Sequence, residues 1–596
     1  MVTRRVLALV CGLIVLAGPS RAFAQVDIAG EWVSEFSEDR IERIPGPNVG
    51  EYVGLPLNDA ARLKADAWQA SVQTLPERQC IPHPSPYSLR GPTNLRISAD
   101  VDAVTQETIS YTIYGTFGRA TRVVWMDGRA HPSALAPHTW AGFSTGRWEG
   151  HRLRIDTTHI KAGYLRRNGV PHSDLTTMTE YLWIRGNRLL IASVVEDPVY
   201  LTEPFVRTTD FVRNPTQHGV ATPCEPTDEV FGRPTGEVPH YLPGTNPYLN
   251  EFADQFGLPH EAARGGAETA LPEYARAMRG PRPPDAVRVG SGGAPPASRP
   301  AFGRALEDLD VRGGIRLVAV DGENVAVSSG PDGLLLVDTG PETGAGRLAE
   351  AVARMGRPVR SVVNTSAGAA HVGGNALLAS RGRRLGGAAA GASGFADITQ
   401  AQPTAEIYAQ EAVLTRLSAA GGVASAGWPT TTFSGARKDL FFNGEAIEVI
   451  HVPAAYSDGD AIVFFRRSDV LSTGEIYDAT AYPRIDLSHG GSLQGIIDGL
   501  NRVLELTIPA GWQEGGTLVV PARGRVGDEA DVVEYRDMLT IVRDRIAALI
   551  AQGSSLEQVL AAAPTRDYDG RYGSTTGGWT TAMFVEAAYR SLRAGR

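Results

Sequence analysis

The feature that most constrains this chain is a change of pattern across its middle. The stretch "RGPRPPDAVRVGSGGAPPASRP", ending at Pro300, is rich in Pro, Gly and small residues. It offers no periodic apolar face and reads as a connector. Before it, short apolar–polar alternations follow one another with few helical patterns. After it, such runs alternate with helical ones. A single core does not serve 596 residues, although large β and α/β units can bring the domain count down to two. The expected division is a leader at 1–24, a β-domain at 25–215, a Pro/Gly-rich linker at 216–305 and an α/β domain at 306–596. The linker has room for one short helix near "LPEYARAM".

In the first unit, "ISYTIYG", "RVVWMDG", "HRLRIDTT", "TMTEYLWI" and "RLLIASVV" alternate apolar and polar residues. Turn signals such as "MDG", "WEG" and "RGN" separate them. Many short strands at regular spacing predict an antiparallel sandwich or barrel. The opening "GEW", Gly30 to Trp32, resembles the glycine-x-tryptophan start of lipocalin-type barrels. "WMDGRAHP", "GFSTGRWEGHRLRI" and "RRNGVPHSD" resemble motifs of a secreted bacterial β-domain with no established activity. A functional reading gathers Asp127, Arg129, His131, His159, Arg166, Arg167, Asn168 and His172 at a barrel mouth as a ligand site. The other reading makes them turn and hydrogen-bond residues. These histidines lack metal-ligand spacing.

In the second unit, "IRLVAV", "NVAVSS", "GLLLVDTG", "VRSVV", "AIEVIHV", "AIVFF" and "TLVV" are strand-like. "TGAGRLAEAVARMG" is an amphipathic helix ended by Gly356. A later helix places Tyr535, Leu539, Val542, Ile546 and Leu549 on one face, and "SSLE", Ser554 to Glu557, is a capping box for the next. Alternating strands and helices predict an α/β unit.

Five segments carry a family resemblance, in order: "VDTG" with Asp338, "VVNTSAGAAHVGGN", "HVPAAYSDGDAIVFF", "DVLSTGEIY" and "VVPARGRV". Residues 309–596 resemble the metallo-β-lactamase superfamily through them. The resemblance implies a four-layer αββα sandwich of two similar halves, so the whole chain is expected to be multidomain α+β. It also implies a binuclear zinc site, and here the sequence departs. Where the family has histidine, histidine, aspartate and histidine, this chain has Ser366, Gly368, Ala370 and His371. Tyr456 stands at the next histidine, Glu475 at the bridging aspartate and Arg523 at the last histidine.

A catalytic zinc needs about three protein ligands and a water. Gly368 and Ala370 have no donor side chain, and Arg523 brings a positive charge that repels metal. No cofactor is therefore expected, with zinc as the alternative. The main reading is a pseudoenzyme that binds or scaffolds, with Arg523 available as an anion contact. One alternative keeps a single weak metal on His371, Asp458 and Glu475. Another is metal-free chemistry by Ser366, His371 and Tyr456. The competing function is an exported hydrolase of an ester, lactone or amide. In the bland reading, His371 bonds a loop carbonyl and Arg523 pairs with Glu475.

The first residues, "MVTRRVLALVCGLIVLAGPSRAFAQ", read as a secretory signal cleaved after Ala24, and Arg4–Arg5 is also compatible with twin-arginine export. A periplasmic or secreted protein is expected. Cleavage removes Arg4, Arg5 and Arg21 and leaves the chain more acidic than its formal −9, which argues against nucleic-acid partners. No further run reaches membrane-spanning length. Cys80 and Cys224 remain after cleavage and are expected to form a disulfide. A small-molecule partner is compatible with the sequence, which names neither it nor an oligomeric state.

Overall fold

The computed structural model describes residues 27–35, 47–89, 94–115, 120–216, 224–234, 236–278, 306–383, 404–420, 422–511 and 515–594. The expected signal sequence, its expected cleavage site and much of the connector lie outside the described residues.

The N-terminal unit is a closed nine-stranded barrel. Its strands read as the alternation demands. Thr177–Arg185 and Arg188–Glu196 bury every second residue, and Gly186 at φ 65° makes the two-residue turn between them. Gly30–Ser34 closes the barrel by pairing with both Leu95–Val101 and Phe205–Arg213. Trp32 is fully buried there and its indole donates to Ile28 O at 3.0 Å. The interior is filled, with Ile97, Tyr111, Ile155, Leu182, Ile191 and Phe211 packed together. Near them Arg122 and Glu180 form a buried ion pair at 2.6 Å, and Arg122 also donates to Ser144 and Thr157.

One junction departs from the expected antiparallel order. Arg122–Trp125 pairs in parallel with Phe143–Glu149. The intervening segment leaves the barrel instead of turning back as a hairpin. It crosses to the second unit, where Leu135 is buried in the sandwich core and its carbonyl accepts from Val526 N at 2.9 Å.

The C-terminal unit is a four-layer αββα sandwich. A seven-stranded sheet runs from Glu307–Arg312 to Thr431–Phe433, and a six-stranded sheet from Arg437–Phe442 to Gly527–Asp528. Leu317, Val337, Val363, Val449, Val463 and Val520 fill the space between the sheets. Helices Ala345–Arg354 and Asn375–Ser380 cover the first sheet. Leu493–Leu506, Glu529–Ala551 and Thr581–Ala594 cover the second. On Glu529–Ala551, Tyr535, Leu539, Val542 and Ile546 are buried as their spacing predicts. The next helix starts one residue later than "SSLE" suggests. Ser554 N is bonded to Leu549 O, so Ser555 is the cap and Gln558 completes the box.

Glu251–Phe256, His260–Ala263, Ala267–Ala270 and Pro272–Met278 are short helices in a segment that packs on the first unit. Tyr52 N donates to Ala263 O at 2.9 Å and Arg264 Nη1 to Asp66 at 2.7 Å. Cys80 and Cys224 are disulfide-bonded, S–S 2.08 Å.

Buried charge joins the two units. Lys161 Nζ donates to Asp528 and Asp531, both at 2.7 Å. Asp174 accepts from Arg525 and Arg571. Glu534 accepts from Lys64 at 2.7 Å and Arg78 at 3.1 Å. Burial alone would raise the Glu534 carboxyl, but Lys64 and Arg78 outweigh it and hold it down from 4.5 to about 2. A depressed carboxylate stabilises the fold fully above its unfolded value and loses that contribution as pH falls through the folded one. The unfolding midpoint should therefore fall as pH drops from 4.5 towards about 2. Glu534→Gln should flatten that part of the profile, measured by thermal melts across pH. An unchanged acid slope would rule out this assignment.

Candidate functional site

Ser366, Gly368, His371, Tyr456, Glu475 and Arg523, singled out from the resemblance, are grouped around Asp338. Asp338 follows strand Gly333–Val337 in a left-handed conformation, φ 65°. A non-glycine residue there is held by its surroundings. Its carboxylate accepts from Thr365 N at 2.8 Å, Thr365 Oγ1 at 2.6 Å and His371 Nδ1 at 2.7 Å. His371 lies on the short helix Ala369–Val372. Its Nε2 faces Glu475 Oε1 at 3.1 Å, an ion-pair distance without hydrogen-bond alignment. Glu475 sits on the turn Gly474–Ile476. Gly474 has φ 51°, and a Cβ there would overlap Thr365, so only glycine lets this turn close.

Arg523 meets Glu475 from the other side. Its Nη1 and Nη2 donate to the two carboxylate oxygens at 2.9 and 2.6 Å. Nη1 also donates to Asp478 at 3.0 Å, and Nε to Glu323 at 2.8 Å. The result is a continuous chain of alternating charge: Asp338, His371, Glu475 and Arg523, then Asp478 and Glu323. Arg523 is 11% exposed and Glu475 3%, so solvent screens this chain little. Three carboxylates claim the guanidinium, which leaves it little capacity as the anion contact considered from sequence.

The charges hold one another. Burial pushes the His371 imidazole down, but Asp338 and Glu475 outweigh it and raise it to about 10. With both carboxylates beside it, the imidazole keeps its proton at neutral pH. Burial would raise Glu475, yet Arg523 and His371 hold it well below the usual carboxylate range. His371 bonds a carboxylate and not a loop carbonyl, which corrects the bland sequence reading.

Ser366 is fully buried and its Oγ accepts from Gly368 N at 3.2 Å. Gly368 points into the site: a Cβ there would lie 3.2 Å from His371 Cδ2, 3.4 Å from Ser366 Oγ and 3.7 Å from the Tyr456 hydroxyl. Ala370 follows on the same helix as His371, half-buried. Burial, helped by Glu475, pushes the Tyr456 phenol up to about 12, so it stays protonated. Asp458 does not join them. Its side chain is 56% exposed and pairs with Arg416. Asp460 turns inward instead, bonds Ser457 N at 2.6 Å, and is pushed up to about 7 by burial. His451 and His489 are engaged elsewhere, with Asp458 O and Asp486. Among the described residues, no cluster of three or more His, Cys, Asp or Glu side chains is arranged to hold a metal ion.

The barrel candidates separate into two groups. Arg166 and Asn168, on or beside the hairpin of Gly163–Arg166 and Val170–His172, bond Glu51 O, and His172 bonds Ser173 O at 3.1 Å. Arg167 lines a small cleft beside this hairpin. Arg166 and Asn168 fasten segment 48–51 to this hairpin. The second group is Asp127, Arg129, His131 and His159, of which Asp127 and Arg129 are exposed. Asp127 pairs with Arg129, which stacks on Trp125 at 3.5 Å. His131 bonds Thr145 and Thr158, and His159 bonds Thr158 and Ser133 O. No single barrel mouth collects both groups. His159 instead shares a cavity of about 580 Å³ with Arg523, Glu323, Arg525, Arg571 and Asp174, between the two units. Glu323, Asp478, Asp174 and Arg525 carry no local sequence signal. Only their partners across the fold reveal them.

No family model and no curated protein matches the chain. Solved structures do. One is the stereoselective inverting sec-alkylsulfatase Pisa1 from Pseudomonas sp., 13% identical with a TM-score of 0.36 over 48% of this chain. That match covers 50% of the alkylsulfatase, so this chain spans about half its length. A metallo-β-lactamase from Pontibacter korlensis is 16% identical with a TM-score of 0.30, over 40% of this chain and 99% of its own. The DIM-1 metallo-β-lactamase is similar at 16% identity and a TM-score of 0.30, over 40% of this chain and 97% of its own.

Proposed function

We propose that the sandwich has exchanged a binuclear zinc centre for an internal ion network, and that the protein is a non-catalytic binder or scaffold. The observation that carries this is the Arg523 guanidinium, bidentate on Glu475 and shared with Asp478 and Glu323. A fixed cation already neutralises Glu475, the carboxylate at the bridging position. The remaining positions do not fit two zinc ions either. Gly368 and Ala370 offer no donor, and Asp458 faces solvent. No hydrolytic step is therefore assigned. The disulfide Cys80–Cys224 supports an exported protein, because such bonds persist in oxidising compartments.

Metal analysis of the dialysed full-length protein is expected to return far less than one zinc per chain. Near-stoichiometric zinc, or turnover of a β-lactam, lactone or ester substrate that a chelator abolishes, would falsify the proposal and restore the hydrolase reading.

A further inference from the structure

A cavity of about 1140 Å³ lies between the barrel and the second helical layer, away from the ion network. Val123, Trp125, Trp140 and Phe143 line it from the barrel side. Leu504 and Pro509 face them, with the first turn of Glu529–Ala551. Its volume suits an organic molecule and its aromatic walls suit an apolar body.

Its charge is one-sided. Among the described lining residues, six carboxylates (Glu77, Asp228, Glu237, Glu505, Asp528 and Glu529) stand against Arg233 and Arg536. Three of the six are already paired, Glu77 with Arg536, Asp528 with Lys161 and Glu505 with Arg502, which leaves Asp228, Glu237 and Glu529. Glu529 is different: its Oε2 is buried without a hydrogen-bond partner. A buried carboxylate oxygen in that state is costly, and it marks Glu529 as a lining carboxylate whose hydrogen bonding the protein leaves incomplete. Burial, with Asp528 and Glu77 adding to it, pushes this carboxyl up to about 7.

We propose that this cavity binds an amphiphilic organic cation. Its apolar body packs among Trp125, Trp140 and Phe143, and its ammonium group donates to Glu529. Trp rings also attract positive charge directly, as Trp125 does with Arg129 at 3.5 Å. The site does not depend on the state of the former zinc centre.

Calorimetric titration of the full-length protein with decylammonium, decanoate and 1-decanol tests it. Decylammonium should saturate one site per chain, and decanoate should bind at least about tenfold more weakly. Glu529→Gln should weaken decylammonium about tenfold and leave 1-decanol unchanged. Trp140→Ala should weaken both. Equal binding of decanoate and decylammonium by the unaltered protein overturns the proposal without any variant having to fold. Absence of decylammonium binding, or full affinity in a folded Glu529→Gln protein, does so as well.

Discussion

Arg523→Ala should cost about 3–5 kcal/mol of unfolding free energy, the range for breaking a buried ion pair by removing one partner. The cost comes from what is left behind. Glu475, Asp478 and Glu323 would face one another, with His371 as the one cation still in contact with Glu475. Denaturant unfolding measures the loss. A second readout separates this account from simple loss of packing. A site from which a fixed cation has been removed accepts a mobile one, so millimolar divalent metal should raise the melting temperature of the variant. The same metal should leave the unaltered protein unchanged, because Arg523 already fills the role. Arg523→Lys keeps the charge but loses the bidentate fork, and should fall between the two. A variant as stable as the parent, or one that metal does not rescue, would show that the guanidinium does not stand in for a metal.

The same residues show how much of this site a sequence can carry. The pairing of Glu475 with Arg523 is legible because both stand at positions where the resembling family keeps metal ligands. The rest of the chain of charge is not. Asp478 and Glu323 reach Arg523 from distant turns, and nothing local marks them. "SDGD" holds two aspartates that enter strand Asp460–Phe465 on opposite sides of a turn, and register alone decides which one is buried. Sequence reasoning chose Asp458, and the fold buries Asp460. The same limit applies to the barrel. Period-two alternation is strong enough to predict its strands. It says nothing of the parallel junction at Arg122–Trp125, which depends on where segment 126–142 docks. His131 and His159 read in sequence as parts of one ligand site. In space they bond threonines and the Ser133 carbonyl. The helix Glu529–Ala551 was legible on its apolar face alone. Asp531, Arg536 and Asp537 look like a solvated face, yet they are buried because the barrel unit covers them.

That covered face makes the union of the two units the second large effect. Asp174 comes from the barrel unit and lies between Arg525 and Arg571 of the sandwich. Burial would raise its carboxyl, but Arg571 and Arg525 outweigh it and hold it well below the usual range. Asp174→Ala would leave two buried guanidiniums short of a partner. Arg525 would keep Asp531 at 2.6 Å, and Arg571 would keep the Ala479 carbonyl at 2.8 Å. The expected loss is again about 3–5 kcal/mol, but its form differs from that of Arg523→Ala. Asp174 ties one unit to the other, so calorimetry should show the variant's units melting apart, the barrel separately from the sandwich. Arg523→Ala leaves that tie in place and should lower the joint transition without splitting it. Coupling between the partners gives the sharper measurement. Arg571→Ala removes one of the stranded charges, so the double variant should be less destabilised than the sum of the singles by about 1 kcal/mol or more. Strictly additive losses would mean that Asp174 and Arg571 do not act as a pair. A single transition in Asp174→Ala would mean that the apolar seat of Leu135, together with Lys161 and Glu534, holds the units together without it.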